Sequence, residues 1–165
     1  MELWDGYNEK CEKIGIDLIR GEAIPQGLFH VVVEVMVIHT DGSYLLMQRD
    51  FNKPNSPGLF EAGASGSVIK GETFIEGAKR ELREETGIIS ETLSQIHYSI
   101  NSHNHTIYIG YLCEWSGDKN LITLQEGETI SYKWLSRSDF LTFVKTDSYV
   151  AAGRVRLSNY LDRIS

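Results

Sequence analysis

The stretch FHVVVEVMVIH, Phe29–His39, is dominated by β-branched residues. Their stiff side chains suit a pleated surface, and the run reads as a largely buried strand. Asp41-Gly42 follows as a hairpin signal, and SYLLMQRD (Ser43–Asp50) as the returning strand. FNKPNSPG (Phe51–Gly58) holds two prolines and a glycine and reads as a loop. The small residues of LFEAGASGSVIKG then predict a strand interrupted where something approaches the backbone.

GETFIEGAKRELREETGI (Gly71–Ile88) predicts a helix. Thr73 with Glu76 three residues on makes a capping box, and Gly87 is a C-terminal stop. Ile75, Ala78 and Leu82 supply its apolar stripe. QIHYSIN and TIYIGYLCEW predict a strand pair, TISYKWLS a further strand, and KIGIDLIRG a short strand entering the domain. SRSDFLTFVK and SYVAAGRVRLSNYLDRI predict two closing helices. The expected fold is α/β or α+β, a mixed β-sheet with helices against it. No repeat or linker interrupts the 165 residues, so one domain, 1–165, is expected.

Totals exclude several functions. A net charge of −7 argues against a nonspecific nucleic-acid surface, which needs clustered Lys and Arg. No apolar run reaches the roughly 18 residues of a membrane span. The start, MELWDGYNEK, lacks the order of a signal peptide. Cys11 and Cys113 stand far apart, which fits a reducing cytoplasm better than a disulfide framework. HNH places His103 and His105 on one face if the segment is a strand, but with His97 no fourth zinc ligand is evident.

The charges of the helix separate into two kinds. Neighbours on a helix lie at i±3 and i±4. Glu76 can pair with Lys79 or Arg80, and Glu84 with Arg80, whereas Glu81 and Glu85 have no cation at those positions. Glu85 also stands at the negative end of the helix dipole. Glu81, Glu84 and Glu85 fall within an arc of about 100°. Three carboxylates on one arc cost stability and make a hard oxygen site suited to Mg²⁺ or Mn²⁺. The ligand spacing of an EF-hand is absent.

Gly66, Glu72, Arg80, Glu81, Leu82, Glu84, Glu85, Gly87 and Ile88 match G-x5-E-x7-R-E-U-x-E-E-x-G-U, where U is bulky and aliphatic. The chain thereby resembles the Nudix hydrolases. Seven fixed residues would coincide by chance at about 10⁻⁸ per window. The resemblance extends from about Val31 to Phe143 and implies an α/β/α sandwich. ELWDGYNEK, LLMQRD and PGLFEAGASGSV further resemble a branch related to isopentenyl-diphosphate isomerases. That isomerisation needs a cysteine acid, and NKPNSPGLF has none. Ser65 replaces the first glycine of a Gly-Gly pair common in the hydrolases, leaving the Gly66 carbonyl in place.

The resemblance implies cleavage of the diphosphate bond in a nucleoside diphosphate linked to another group. Metal ligands would be Glu81, Glu84, Glu85 and the Gly66 carbonyl, with Glu81 and Glu84 also catalytic. Arg80 is expected to pair with Glu72 and orient the helix. LQEGETISY offers Glu126 and Glu128 as alternative general bases. Arg49 is placed to engage a phosphate and Phe51 or Phe60 to stack on a base, with core packing the better expectation for Phe60. An isomerase-like enzyme and a noncatalytic nucleotide-sensing domain are the alternatives. The expected partner is a small diphosphate, and a homodimer is compatible with the resemblance.

Overall fold

The computed structural model describes residues 1–165. Its first elements are strands β1 (Leu3–Tyr7), β2 (Lys13–Ile19), β3 (His30–His39), β4 (Tyr44–Arg49), β5 (Phe60–Ala62) and β6 (Ala64–Ser67). Helix α1 (Phe74–Thr86) follows, then β7 (Ser94–Asn101), β8 (Thr106–Trp115) and β9 (Thr129–Leu135). Three short helices, α2 (Arg137–Phe143), α3 (Ala151–Arg156) and α4 (Ser158–Ile164), close the chain. Strands β3 to β9 form one mixed sheet, parallel between β3 and β8 and antiparallel elsewhere.

Alternation along β3 and β4 divides the core between the two faces of this sheet. Val31, Val33, Val35 and Val37 join Leu45 and Met47 on one face, where Ala78 and Leu82 of α1 meet them. Met36, Tyr44 and Leu46 point to the other face, against Phe140, Leu157, Tyr160 and Leu161 of the closing segment. Helices thus cover both faces of a mixed sheet, the α/β/α arrangement of the α+β class.

One irregularity opens the site. β3 pairs with β4 only at Ile38↔Tyr44, while its first half pairs with β6, including Val33↔Gly66 and Glu34↔Ser65. The chain crosses from β4 to β3 at Gly63, which separates β5 from β6. Gly63 has φ +68°, and a Cβ there would lie 1.9 Å from the Val35 carbonyl oxygen. Only glycine fits that approach. The interrupted strand expected from LFEAGASGSV is this crossing.

The capping box is formed as expected: the Thr73 hydroxyl accepts from Glu76 N–H, and Glu76 accepts from Thr73 N–H. Gly87 ends the helix with φ 76°. Other expectations need correction. KIGIDLI pairs with β1 in a separate two-stranded sheet, because LWDGY, too short to show a period, is itself a strand. Phe74, not Ile75, packs against the core beside Ala78. The final helix breaks at Leu157 into α3 and α4. His103 and His105 occupy the turn between β7 and β8, so the strand alternation proposed for them does not exist. No helix is long and apolar enough to cross a membrane.

Candidate functional site

A cleft of ≈670 Å³ runs between α1, β6 and the loops after β4 and before β9, with mostly polar walls. Arg80 organises its α1 side. Its Nε donates to Glu72 Oε1 (2.7 Å) and Nη2 to Glu72 Oε2 (3.0 Å) and the Ser67 carbonyl (2.9 Å). Glu72 also accepts from Ile69 N–H at 3.1 Å. The Arg80–Glu72 pair therefore ties α1 to the end of β6, as expected from sequence.

Arg80 Nη1 donates to Glu81 Oε1 (2.6 Å) and lies 3.3 Å from Glu84 Oε2. Glu81 is thus not unpaired, contrary to the neighbour rule. That rule considers i±3 and i±4, while the long Arg80 side chain folds back beside its own neighbour. Glu76 caps the helix, and Lys79 turns instead to Glu91 at 3.1 Å.

Glu85 does lack a cation. It is 4% exposed, and its carboxylate meets only Ser65 N–H, at 3.4 Å. Burial raises its pKa well above the usual range, and Glu61, Glu81 and Glu128 raise it further. Burial likewise raises Glu81. As the side chains lie, no three His, Cys, Asp or Glu converge on one point, since Arg80 holds Glu81 and Glu84. Gly66 lies against this cluster, and a Cβ there would be 2.1 Å from the Glu81 carboxylate. The close approach leaves the backbone of Gly66 and the carboxylates facing one space, a donor set suited to a hard divalent cation.

The loop residues divide. Glu128 lines the cleft and is held by Lys53. Its backbone carbonyl accepts from Asp50 N–H (2.9 Å), which draws the turn toward the end of β4. Glu126, earlier on that turn, is exposed and does not line the cleft. Arg49 lines it, with Nη1 2.7 Å from Glu61 and Nε donating to the Asn55 carbonyl. Phe51 is 70% exposed and absent from the lining, because its ring lies over Gly58. Phe60 is half-buried and packs against the core, edge-on to Phe143 at 5.5 Å.

Sequence reasoning missed Lys53, Glu34 and Glu61. Glu61 accepts from Arg49 and from Ser65 Oγ (3.1 Å), while burial raises its pKa. Glu34 projects from the centre of β3. Its signal was available, since a lone carboxylate within VVVEVMVI must find a partner.

The family model for the NUDIX domain matches residues 28–153. The chain belongs to the Nudix hydrolases. It is 32% identical over 143 residues to a protein of Listeria monocytogenes described as an uncharacterized Nudix hydrolase, covering 84% of this chain and 82% of that one. Over 66 residues it is 36% identical to an isopentenyl-diphosphate Δ-isomerase of Serratia proteamaculans, covering 40% of this chain and 37% of the isomerase. A protein of Deinococcus radiodurans shares the fold with a TM-score of 0.72 at 19% identity, over 99% of both chains. As a Nudix pyrophosphohydrolase the chain is an enzyme acting on diphosphate bonds.

Proposed function

We propose that this Nudix hydrolase cleaves the diphosphate bond of a nucleoside diphosphate linked to another polar moiety, with Mg²⁺ or Mn²⁺ as cofactor. The observation that carries the reading is Glu85, a buried carboxylate without a cation, placed beside Glu81 and the Gly66 backbone. A fold keeps such a group against its own stability where function requires it. Glu81, Glu84, Glu85 and the Gly66 carbonyl would hold the metal. When bound, it supplies charge neutralisation at the diphosphate and a lowered pKa for a coordinated water.

The chain's own groups do the rest. Arg80, fixed by Glu72 and the Ser67 carbonyl, orients α1 so that its carboxylates face β6. Arg49 and Lys53 line the cleft as hydrogen-bond donors for the substrate phosphates, their charge largely offset by Glu61 and Glu128. Glu128 is the residue of the loop pair positioned to accept a proton from the attacking water, since it reaches the cleft and Glu126 does not. The largely polar walls favour a hydrophilic substrate over an isoprenoid one. Neither Cys11 nor Cys113 lines the cleft, which also speaks against isomerisation.

The test is hydrolysis of nucleotide sugars, dinucleoside polyphosphates, nucleoside triphosphates and isoprenoid diphosphates, with and without Mg²⁺ or Mn²⁺. Glu84→Gln and Glu85→Gln are each expected to lower turnover by two or more orders of magnitude while the fold is retained. Full activity in both variants would sink the metal assignment. Tight nucleotide binding with no turnover of any substrate would favour a sensing domain.

A further inference from the structure

Arg156 stands in the cleft wall, three residues beyond the stretch matched by the family model. α3 brings it to Glu34 in the middle of β3, where its Nε donates to both carboxylate oxygens (3.0 and 2.9 Å). Nη2 also donates to Glu34 Oε1. Its guanidinium carbon lies 4.0 Å from the centre of the Tyr108 ring. Two of the three nitrogens are therefore committed to Glu34, and no protein group accepts from Nη1. Beside it, the Tyr108 hydroxyl oxygen accepts from Asn104 Nδ2 at 3.1 Å, which leaves the phenol proton free to donate. Asn104, Tyr108, Glu34 and Arg156 all face the cleft that contains Glu85.

We infer that Arg156 and Tyr108 form the subsite that selects the non-phosphate part of the substrate, recognising a neutral, oxygen-bearing group by hydrogen-bond donation. This rests on the hydrolytic reading above. The free groups of Arg156 and Tyr108 are donors, so a ligand held by these two must supply acceptors. Glu34 neutralises the guanidinium, so the pair offers little net charge to a further phosphate. The guanidinium covers a face of Tyr108, the one aromatic ring of the cleft, so the wall offers poor packing to a prenyl chain. A carbonyl of a nucleobase and a hydroxyl of a sugar both meet the requirement. A site that donates to an oxygen binds the analogue lacking it less well, because that hydrogen bond is then not made.

The test uses the full chain and reads binding as well as turnover. Calorimetry compares uridine monophosphate, ribose 5-phosphate and inorganic phosphate on the wild type, Tyr108→Phe and Arg156→Lys. Hydrolysis compares a nucleotide sugar with isopentenyl diphosphate. In the wild type, uridine monophosphate or ribose 5-phosphate is expected to bind at least about tenfold tighter than phosphate, one unmet hydrogen bond being worth roughly that factor. Either variant is expected to remove most of that difference. KM for the nucleotide sugar should rise with kcat nearly kept. Retention of the advantage by ribose 5-phosphate assigns the sugar; its restriction to uridine monophosphate assigns the base.

Because Arg156→Lys leaves Glu34 imperfectly paired, Glu34→Gln/Arg156→Met removes both charges, and Tyr108→Phe leaves the ion pair intact. Undiminished discrimination in folded Tyr108→Phe and in the double variant overturns the subsite, as does a wild-type preference for isopentenyl diphosphate. Those results leave the hydrolytic reading standing. Absence of metal-dependent hydrolysis of every diphosphate overturns that reading, and this inference with it.

Discussion

Glu85 shows how far single residues could be read. Its lack of a cation partner followed from helix geometry and holds in the structure. The same rule failed for Glu81, since it has no provision for an arginine curling back on its neighbour. The extent of the carboxylate cluster was not legible, because Glu61 and Glu128 arrive from distant segments. Removing the Glu85 charge should therefore stabilise the metal-free protein while destroying activity. Glu85→Gln is expected to gain about 1 kcal/mol in chelator, a few degrees in melting temperature. A lower melting temperature than wild type would show that charge repulsion at Glu85 does not govern stability there. Gly66→Ala makes the complementary case. The added Cβ would sit 2.1 Å from the Glu81 carboxylate, so Glu81 must move. Turnover is expected to fall about 10²-fold, the scale of a displacement near 1 Å in a catalytic constellation. Wild-type kcat/KM in this variant would remove Gly66 from the site.

Elements whose signals are local were legible: β3 by composition, α1 by its capping box and terminal glycine, the β5–β6 break by its small residues. The N-terminal hairpin was only half visible, because β1 is defined by its pairing with β2 and not by a period of its own. A contact outside that pairing also docks it. Trp4 stacks on His30, ring centres 4.2 Å apart and 16° from parallel. The Thr106 hydroxyl donates to the Asn104 carbonyl, so it must accept from His30 Nε2–H at 2.9 Å. His30 Nδ1 is then buried without a partner, and a second proton there would find no acceptor. Burial accordingly lowers the His30 pKa from 6.5 to about 4. The unfolded chain binds more protons between those values, so His30's contribution is complete above the unfolded pKa and is lost as pH falls through the window. The loss is at most about 3 kcal/mol. Denaturant unfolding of wild type and His30→Gln from about pH 7 to about pH 4 isolates it, with the variant expected to show the flatter profile. Parallel profiles would mean that His30 is protonated without penalty in the fold.

At the scale of the molecule, charge balance and site chemistry must be reconciled. The chain carries 23 acidic and 16 basic residues, net −7, yet is read as acting on an anionic diphosphate. Arg20, Arg49, Lys53, Arg80 and Arg156 line the cleft, but each is already paired with a carboxylate. The protein's own cations therefore leave little net positive charge for phosphates, and a divalent ion is the natural counter-charge. The acidic surface should help to collect that ion. At about 0.01 M salt the Debye length is about 30 Å, so much of the molecule's charge acts at the site; at about 0.15 M it is about 8 Å, and only nearby carboxylates act. The Kd for Mn²⁺, measured by calorimetry without substrate, is expected to weaken roughly tenfold across that range. Glu85→Gln should weaken binding at both salt concentrations, because a carboxylate in contact with the ion still attracts it when distant charges are screened. Salt-independent affinity in the wild type would mean that the net charge plays no part in loading the site. Equal affinity in wild type and Glu85→Gln would place the ion elsewhere.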